Sequence, residues 1–280
     1  MTDQHEVLEG SAAARDETPP TEGPDDAITG VHPLAWVAGG LLAAGVFFQI
    51  VGTKYLIGNL SGWHWVSLVV LLAVALKPIV LHKLRLAIEV LPAITGVAAW
   101  ILAWVVFFVQ FFNVVTRYGN DLVERDILYG QATSIAWQSF ALLFLLGINY
   151  GVKAGINPRI DFWWADFSNT RKAWLDFVLH IALLLPFIIM SIRILRPYAA
   201  ISLGRKRDGS WPSGWRVWNT WEESGDADQL GVGPIKAMLL VAFILFGIQI
   251  FAEVIKTGFV IMGHNRLGDV KDHDAPLRVE

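Results

Sequence analysis

The chain has 280 residues, of which 54% are apolar and 17% charged, with a net charge of −3, no cysteine and a mean hydropathy of +0.48. A soluble domain carries about a quarter charged residues, so this balance points to a membrane protein. The lack of cysteine excludes disulfides, thiolate metal sites and cysteine nucleophiles together.

The first thirty residues hold eight acidic side chains, one arginine and the pair Pro19 and Pro20, with almost no large apolar residue. They cannot bury enough surface to offset the entropy of ordering, which predicts a disordered acidic tail over 1–30. The segment lacks the basic and apolar regions of a cleavable signal peptide, so the first span is expected to be retained. Six uncharged stretches come next, at 31–53, 55–76, 90–116, 127–152, 177–192 and 237–252. A helix needs about 20 apolar residues to cross the hydrocarbon core, because every backbone group must be bonded internally there. The second stretch is the weakest: Asn59, Ser61 and His64 dilute its first half, and Lys77 with Pro78 closes it. The last two are short between their charges, but Trp174, Arg193 and Lys256 can sit at the interface, the cations by snorkelling along their stems. The expected fold is an all-α integral membrane bundle. An extension over 31–85 carries two candidate spans, a four-helix core covers 86–263, and a tail occupies 264–280.

Lysine and arginine in short loops set orientation. With the amino terminus inside, the inner connections hold Lys77, Lys83 and Arg85, then Lys153, Arg159, Arg171 and Lys172, against Lys54, Arg117 and Arg125 outside. The connection from Arg193 to Lys236 runs against this bias, with Arg196, Arg205, Lys206, Arg207 and Arg216 also in it, although its length weakens the rule.

The connection "GINPRIDFWWADFSNTRKAWLDF", residues 155–177, mixes charge with indole. Trp163, Trp164 and Phe167 share a helical face and Trp174 lies two turns on, which predicts an elbow in the membrane plane with its rings at headgroup depth. Ser168 or Asp166 is placed to cap the following helix. Gln110, Asn113, Gln138, Asn149 and Gln249 are expected to face other helices, and Glu253 to pair with Lys256 one turn on, the alternative being a ligand for a coupling ion. Trp100, Trp104, Phe107 and Phe111 form one stripe, open to lipid or to a partner. In the long outer loop, Trp211, Trp215, Trp218 and Trp221 fit a belt on the membrane or a docking face, with Pro212 and Gly214 opposing a regular helix.

His180 lies inside the fifth span and raises the alternative of a haem-holding membrane anchor for a respiratory enzyme. Such a site needs a second axial ligand at matching depth, whereas His32 and His64 lie near span ends and His82 and His264 in connections. A self-sufficient carrier would carry a matched pair of broken helices, and Pro92, Pro186 and Gly247 form no such pair.

The run "WQSFALLFLLGINYGVKAGINPRIDFWWADFSNTRKAWLD", residues 137–176, resembles the small permease subunit of tripartite ATP-independent periplasmic (TRAP) transporters. Trp137, Phe140, Leu146, Gly147, Tyr150, Lys153, Arg159, Asp161, Ser168, Lys172, Ala173, Asp176 and the helix-breaking Pro186 carry the likeness. "FFNVVTRYG" is similar to that family's block at the end of its first span, here Asn113, Arg117 and Tyr118. "TWEESGDADQLGVGPIKAMLL" followed by "GIQIFAEVIK" resembles its last loop and span through Trp221, Glu222, Ser224, Asp226, Pro234, Lys236, Gln249, Glu253 and Lys256. The chain departs from the family in carrying Thr133 and Ser134 where members often have acidic or glutamine residues, in two added amino-terminal spans, and in a longer loop from Gly204 to Trp221.

The resemblance implies a non-enzymatic scaffold without catalytic, cofactor-binding or metal residues, in the bacterial inner membrane with both termini cytoplasmic. Its implied partners are the large permease subunit, which carries an organic solute such as an organic acid inward with sodium, a transiently docking periplasmic substrate-binding protein, and the phospholipid bilayer. Nucleic acid is not among them. Trp211, Trp215 and Trp218 would be the residues that meet the binding protein.

Overall fold

The fold is that of a computed structural model, which describes residues 28–52, 60–123, 130–155, 167–225 and 230–268. All but the last three positions of the acidic tail fall outside these residues, as do Arg159, Asp161 and most of the tryptophan-rich elbow. The chain divides after Gly30 into a short amino-terminal unit and a larger unit that begins at Val31.

The larger unit is helical: α1 (Pro33–Val51), α2 (Gly62–Ala75), α3 (Pro78–Ile88), α4 (Val90–Val123), α5 (Ala132–Ala154), α6 (Asn169–Leu179), α7 (Leu185–Ser202), the single turn α8 (Val217–Thr220) and α9 (Gly233–Ile261). A π-helical turn, His180–Leu184, joins α6 to α7. The only pairing of extended backbone among the described residues is an isolated bridge between Glu223 and Gly231. Five helices are long and apolar enough to cross a bilayer: Pro33–Val51, Pro78–Gly119, Ala132–Ala154, Asn169–Ser202 and Gly233–Ile261. The chain is a multi-pass membrane protein of the all-α class.

Local chemistry fixes the helix ends. Pro33 opens α1, whose N-cap His32 accepts from Leu34 N–H, and Gly52 closes it in the left-handed conformation at φ 73°. In α2 the backbone N–H of Ser61 reaches His64 Nδ1 at 3.0 Å, so a residue that dilutes the apolar run serves as a capping group. Ser168 caps α6 by accepting from Arg171 N–H. At the π turn Leu185 N–H reaches back five residues to His180 O, which makes room for Pro186, a residue with no N–H and a ring that collides with a preceding carbonyl.

Neighbours pack as antiparallel pairs. Gly39 faces Leu72 and Gly45 faces Trp65 between α1 and α2; Gly96 faces Tyr150 and Gly147 faces Ala99 between α4 and α5; Gly247 faces Ile188 between α9 and α7. Water does not drive helices together in lipid, so close backbone approach at small residues has a large share in holding such pairs. We call the end of the bundle where α1 begins proximal and the opposite end distal.

Two expectations change. The connection over 77–89 is a helix rather than a loop: Pro78, Leu81, Arg85 and Ile88 of α3 are buried one turn apart, and His82 meets Phe259 of α9 edge-on at 6.1 Å. Its cations concealed an apolar face. The second expected span shrinks to α2, whose 14 residues rise about 21 Å against a hydrocarbon core of about 30 Å. The fifth and sixth stretches instead lengthen to Asn169–Ser202 and Gly233–Ile261.

α9 is the centre of the unit and packs against α1, α3, α5, α6 and α7. Its second half is mostly buried, with Ala252, Val254, Ile255 and Phe259 fully enclosed. A Cβ at Gly258 would enter the His32 ring. Gly258→Val should therefore part α1 from α9 and cost about 1–3 kcal/mol, the usual range for overpacking. Thermal unfolding in detergent should show it, with Gly40→Ala, which meets open space, as the neutral control.

Candidate functional site

Polar side chains gather at the two ends of the bundle. At the proximal end His32 is completely buried. Its Nδ1 accepts from Leu34 N–H, so Nε2 carries the proton and donates to Ile255 O at 3.1 Å, while its ring meets Phe259 edge-on at 5.1 Å. Burial disfavours the charged ring and pushes its pKa down to about 4, against a smaller opposing effect of the Ile255 carbonyl.

Around this contact stand ion pairs. Arg85 Nε lies 2.6 Å from Glu89 Oε1, and Arg85 also donates to the carbonyl of Leu267, beyond the end of α9. Lys153, in the last turn of α5, donates to the carbonyl of Glu89 at 2.9 Å. On α9, Gln249 Nε2 donates to Glu253 Oε1 at 2.9 Å and Lys256 Nζ lies 3.2 Å from Glu253 Oε2. Deeper in the bundle, Asn149 and Gln249 line a narrow gap with Thr95, Ile88, Leu91 and Pro92. Both Asn149 amide atoms and Gln249 Oε1 are buried there without a hydrogen bond inside the protein.

At the distal end the loop after α7 folds back on itself. Ser202 O accepts from Glu222 N–H at 2.8 Å, and Glu222 O accepts from the N–H groups of Val232 and Gly233 at 2.8 and 3.0 Å. Glu222 Oε1 and Lys236 Nζ are 2.6 Å apart, with Lys236 also 5.6 Å from the centre of the Tyr198 ring. The Lys236 hydrogen bond, helped by Ser202, holds the Glu222 carboxyl below the usual carboxylate range. Trp221 covers Gly231, where a Cβ would collide with the indole. The Trp215 indole N–H donates to Leu203 O at 2.8 Å, Trp211 meets Trp215 edge-on at 4.7 Å, and the Arg216 guanidinium lies 6.0 Å from the Trp218 ring.

The residues singled out from sequence distribute unevenly. Glu222, Ser224, Pro234 and Lys236 come together with Trp221 in the distal clamp, where Ser224 N–H donates to Leu230 O. Asn113 Nδ2 donates to Thr133 Oγ1 at 3.1 Å, which ties the distal part of α4 to the start of α5. Gly147 and Tyr150 pack on α4, and Gln249 and Glu253 join the proximal cluster. Arg117 and Tyr118 sit exposed at the distal part of α4, Trp137 and Phe140 face outward, Asp176 lies in α6 and Pro186 follows the π turn. Trp211, Trp215 and Trp218 are 45%, 37% and 63% exposed, and Pro212 and Gly214 keep the first two out of any helix.

Gln110 does not face another helix as expected; it is exposed. It lies twenty residues past Val90, about 30 Å along α4, at the edge of the hydrocarbon where headgroups and water satisfy an amide. His32, His82, Arg85, Glu89 and Thr95 went unrecognised in the sequence. Pro33 after His32 and the i,i+4 spacing of Arg85 and Glu89 are the local signals of a cap and a pair, but their partners lie over 180 residues away on α9 and beyond it.

Among the described residues no three His, Cys, Asp or Glu side chains converge as a metal site would require. What the two ends offer is fixed geometry: ion pairs and caps that hold helix termini together. Compared with known protein families, curated proteins and solved structures, the chain gives no match.

His32 is neutral at neutral pH whether the chain is folded or unfolded. Between its ordinary pKa of 6.5 and the folded value of about 4 the unfolded chain alone takes up the proton, so acidification through that window removes about 3 kcal/mol of stability. His32→Gln should begin about 1–2 kcal/mol less stable at pH 7.5, having lost a cap and a buried hydrogen bond, and the gap to wild type should close at about pH 5–6 and reverse towards pH 4. A gap that does not change with pH, measured by urea unfolding in detergent, would reject the assignment. In the distal clamp, a double-mutant cycle with Glu222→Gln and Lys236→Met should give a coupling of about 0.2–1 kcal/mol, because both side chains are partly exposed.

Proposed function

We propose that this chain is the small membrane subunit of a TRAP transporter, bracing the large permease during sodium-coupled, binding-protein-dependent uptake of an organic acid. In this reading the proximal end faces the cytoplasm, in keeping with the short-loop cations, and both termini lie there. The bundle makes six crossings, α2 among them, with α4 to α9 as the four-span core and α1 to α3 as its extension.

The observation that carries the reading is where the resembling segments fall. They lie towards the ends of successive spans, where their polar residues make local contacts: Asn113 with Thr133 of the next helix, Glu222 with Lys236 beneath Trp221 and Gly231, and Gln249 with Glu253 and Lys256 along one helix. These contacts fix helix ends, which suits a brace. The stripe on α4 adds a bare aromatic face, with Trp100, Phe107 and Phe111 65%, 55% and 59% exposed and Phe107 stacked on Phe111. That face suits a large membrane partner.

Expression with the larger membrane protein encoded beside it tests the reading. The two should co-purify in mild detergent, and proteoliposomes should take up solute down a sodium gradient only when both are present with the binding protein. Transport by this chain alone, or its purification without a larger membrane companion, would refute it.

A further inference from the structure

The outward face of α7 carries an unusual mixture for a membrane-spanning helix. Ile189 and Met190 are 58% and 62% exposed, which marks this part of the face as one that meets acyl chains. Arg193 and Arg196 are exposed on the same face, three residues apart, and neither forms an ion pair among those of the described residues. Trp174 lies on the same continuous helical stretch nearer the proximal end, nineteen residues before Arg193. That spacing is about 29 Å of helix, close to the thickness of the hydrocarbon core. With Trp174 at one interface, the two guanidiniums reach the other at phosphate depth.

The surrounding chain adds to this positive field. From Arg193 to Trp218 the sequence has six cations and one acid. That acid, Asp208, is engaged by Ser210, whose N–H and hydroxyl donate to it at 2.8 and 2.7 Å. Arg205, Lys206 and Arg207 are exposed, and Trp211 and Trp215 pack together beside them. Leaving arginines without a counter-charge at the edge of an apolar medium is costly, and the guanidinium fork matches phosphate oxygens in pairs. An occupant of this face must be anionic at its head and aliphatic below it.

We infer that Arg193 and Arg196 form a binding site for an anionic phospholipid in the distal leaflet, its phosphate on the two guanidiniums and its chains along Met190 and Ile189. This inference does not depend on the proposed transport role. It also gives a physical reason for two arginines at a helix end that the short-loop charge bias would leave bare.

The isolated chain in an uncharged detergent is titrated with phosphatidylglycerol or phosphatidylcholine of identical acyl chains, and binding is read by thermal shift and native mass spectrometry. Phosphatidylglycerol should bind more tightly. Arg193→Gln with Arg196→Gln should weaken it roughly thirtyfold, at about 1 kcal/mol for each cation near a headgroup, and leave phosphatidylcholine unchanged. Wild-type preference for phosphatidylglycerol should also shrink in high salt, a reading that needs no variant. Equal binding of the two lipids, a preference that survives in the double variant, or an equal shift from inorganic phosphate alone would each overturn the site. So would a double variant that keeps the lipid preference and instead loses a co-purifying membrane protein.

Discussion

The second half of α9 is the constraint around which the bundle is arranged. Ile255 and Phe259 are sealed by α1 and α3, and the seal depends on one histidine that caps α1 while donating to a carbonyl of α9. In a bilayer the surrounding lipid is as apolar as the side chains, so burial alone gives such a contact little preference over lipid exposure. Shape and hydrogen bonding must decide. Gly258 admits the ring, Ile255 O accepts its proton, and Phe259 and His82 close the sides.

Helices α1 to α3, which lie outside the region of family resemblance, are drawn into the same constraint. Of these, α1 and α3 contribute to the same enclosed cluster as α9, and Arg85 of α3 holds the chain just past the end of α9 through Leu267. They cover part of the most buried stretch of the last helix, where His32 of α1 meets Ile255 and Phe259 and His82 of α3 meets Phe259.

Hydropathy made the all-helical class and the rough position of the five long helices legible, because a span must be apolar over its whole length, while a sixth expected span proved too short. The Glu253–Lys256 pair and the Ser168 cap were also readable, since each depends on residues within one turn. α3 was not: three cations over 77–85 outweighed an apolar face of Pro78, Leu81 and Ile88 that becomes evident only when α9 lies against it. The Asn113–Thr133 bond and the His32 contact were hidden for a related reason. Their halves are separated by 20 and 223 residues, and no local pattern in either half names the other. Gln110 shows the opposite error, in which a polar residue within an apolar run was taken to lie deep although its distance along α4 puts it at the hydrocarbon edge.

The two ends of the bundle differ in a way that bears on mechanics. At the proximal end the ion pairs are nearly enclosed, with Arg85 and Glu89 only 6% and 12% exposed, and breaking one partner of such a pair strands a charge. At the distal end Glu222 and Lys236 are 45% and 29% exposed, and water can replace either. Deformation of the bundle is therefore opposed more strongly where α1, α3, α5 and α9 converge than where α7 and α9 are joined by a loop. A bundle built this way is stiffer at its proximal end than at its distal end.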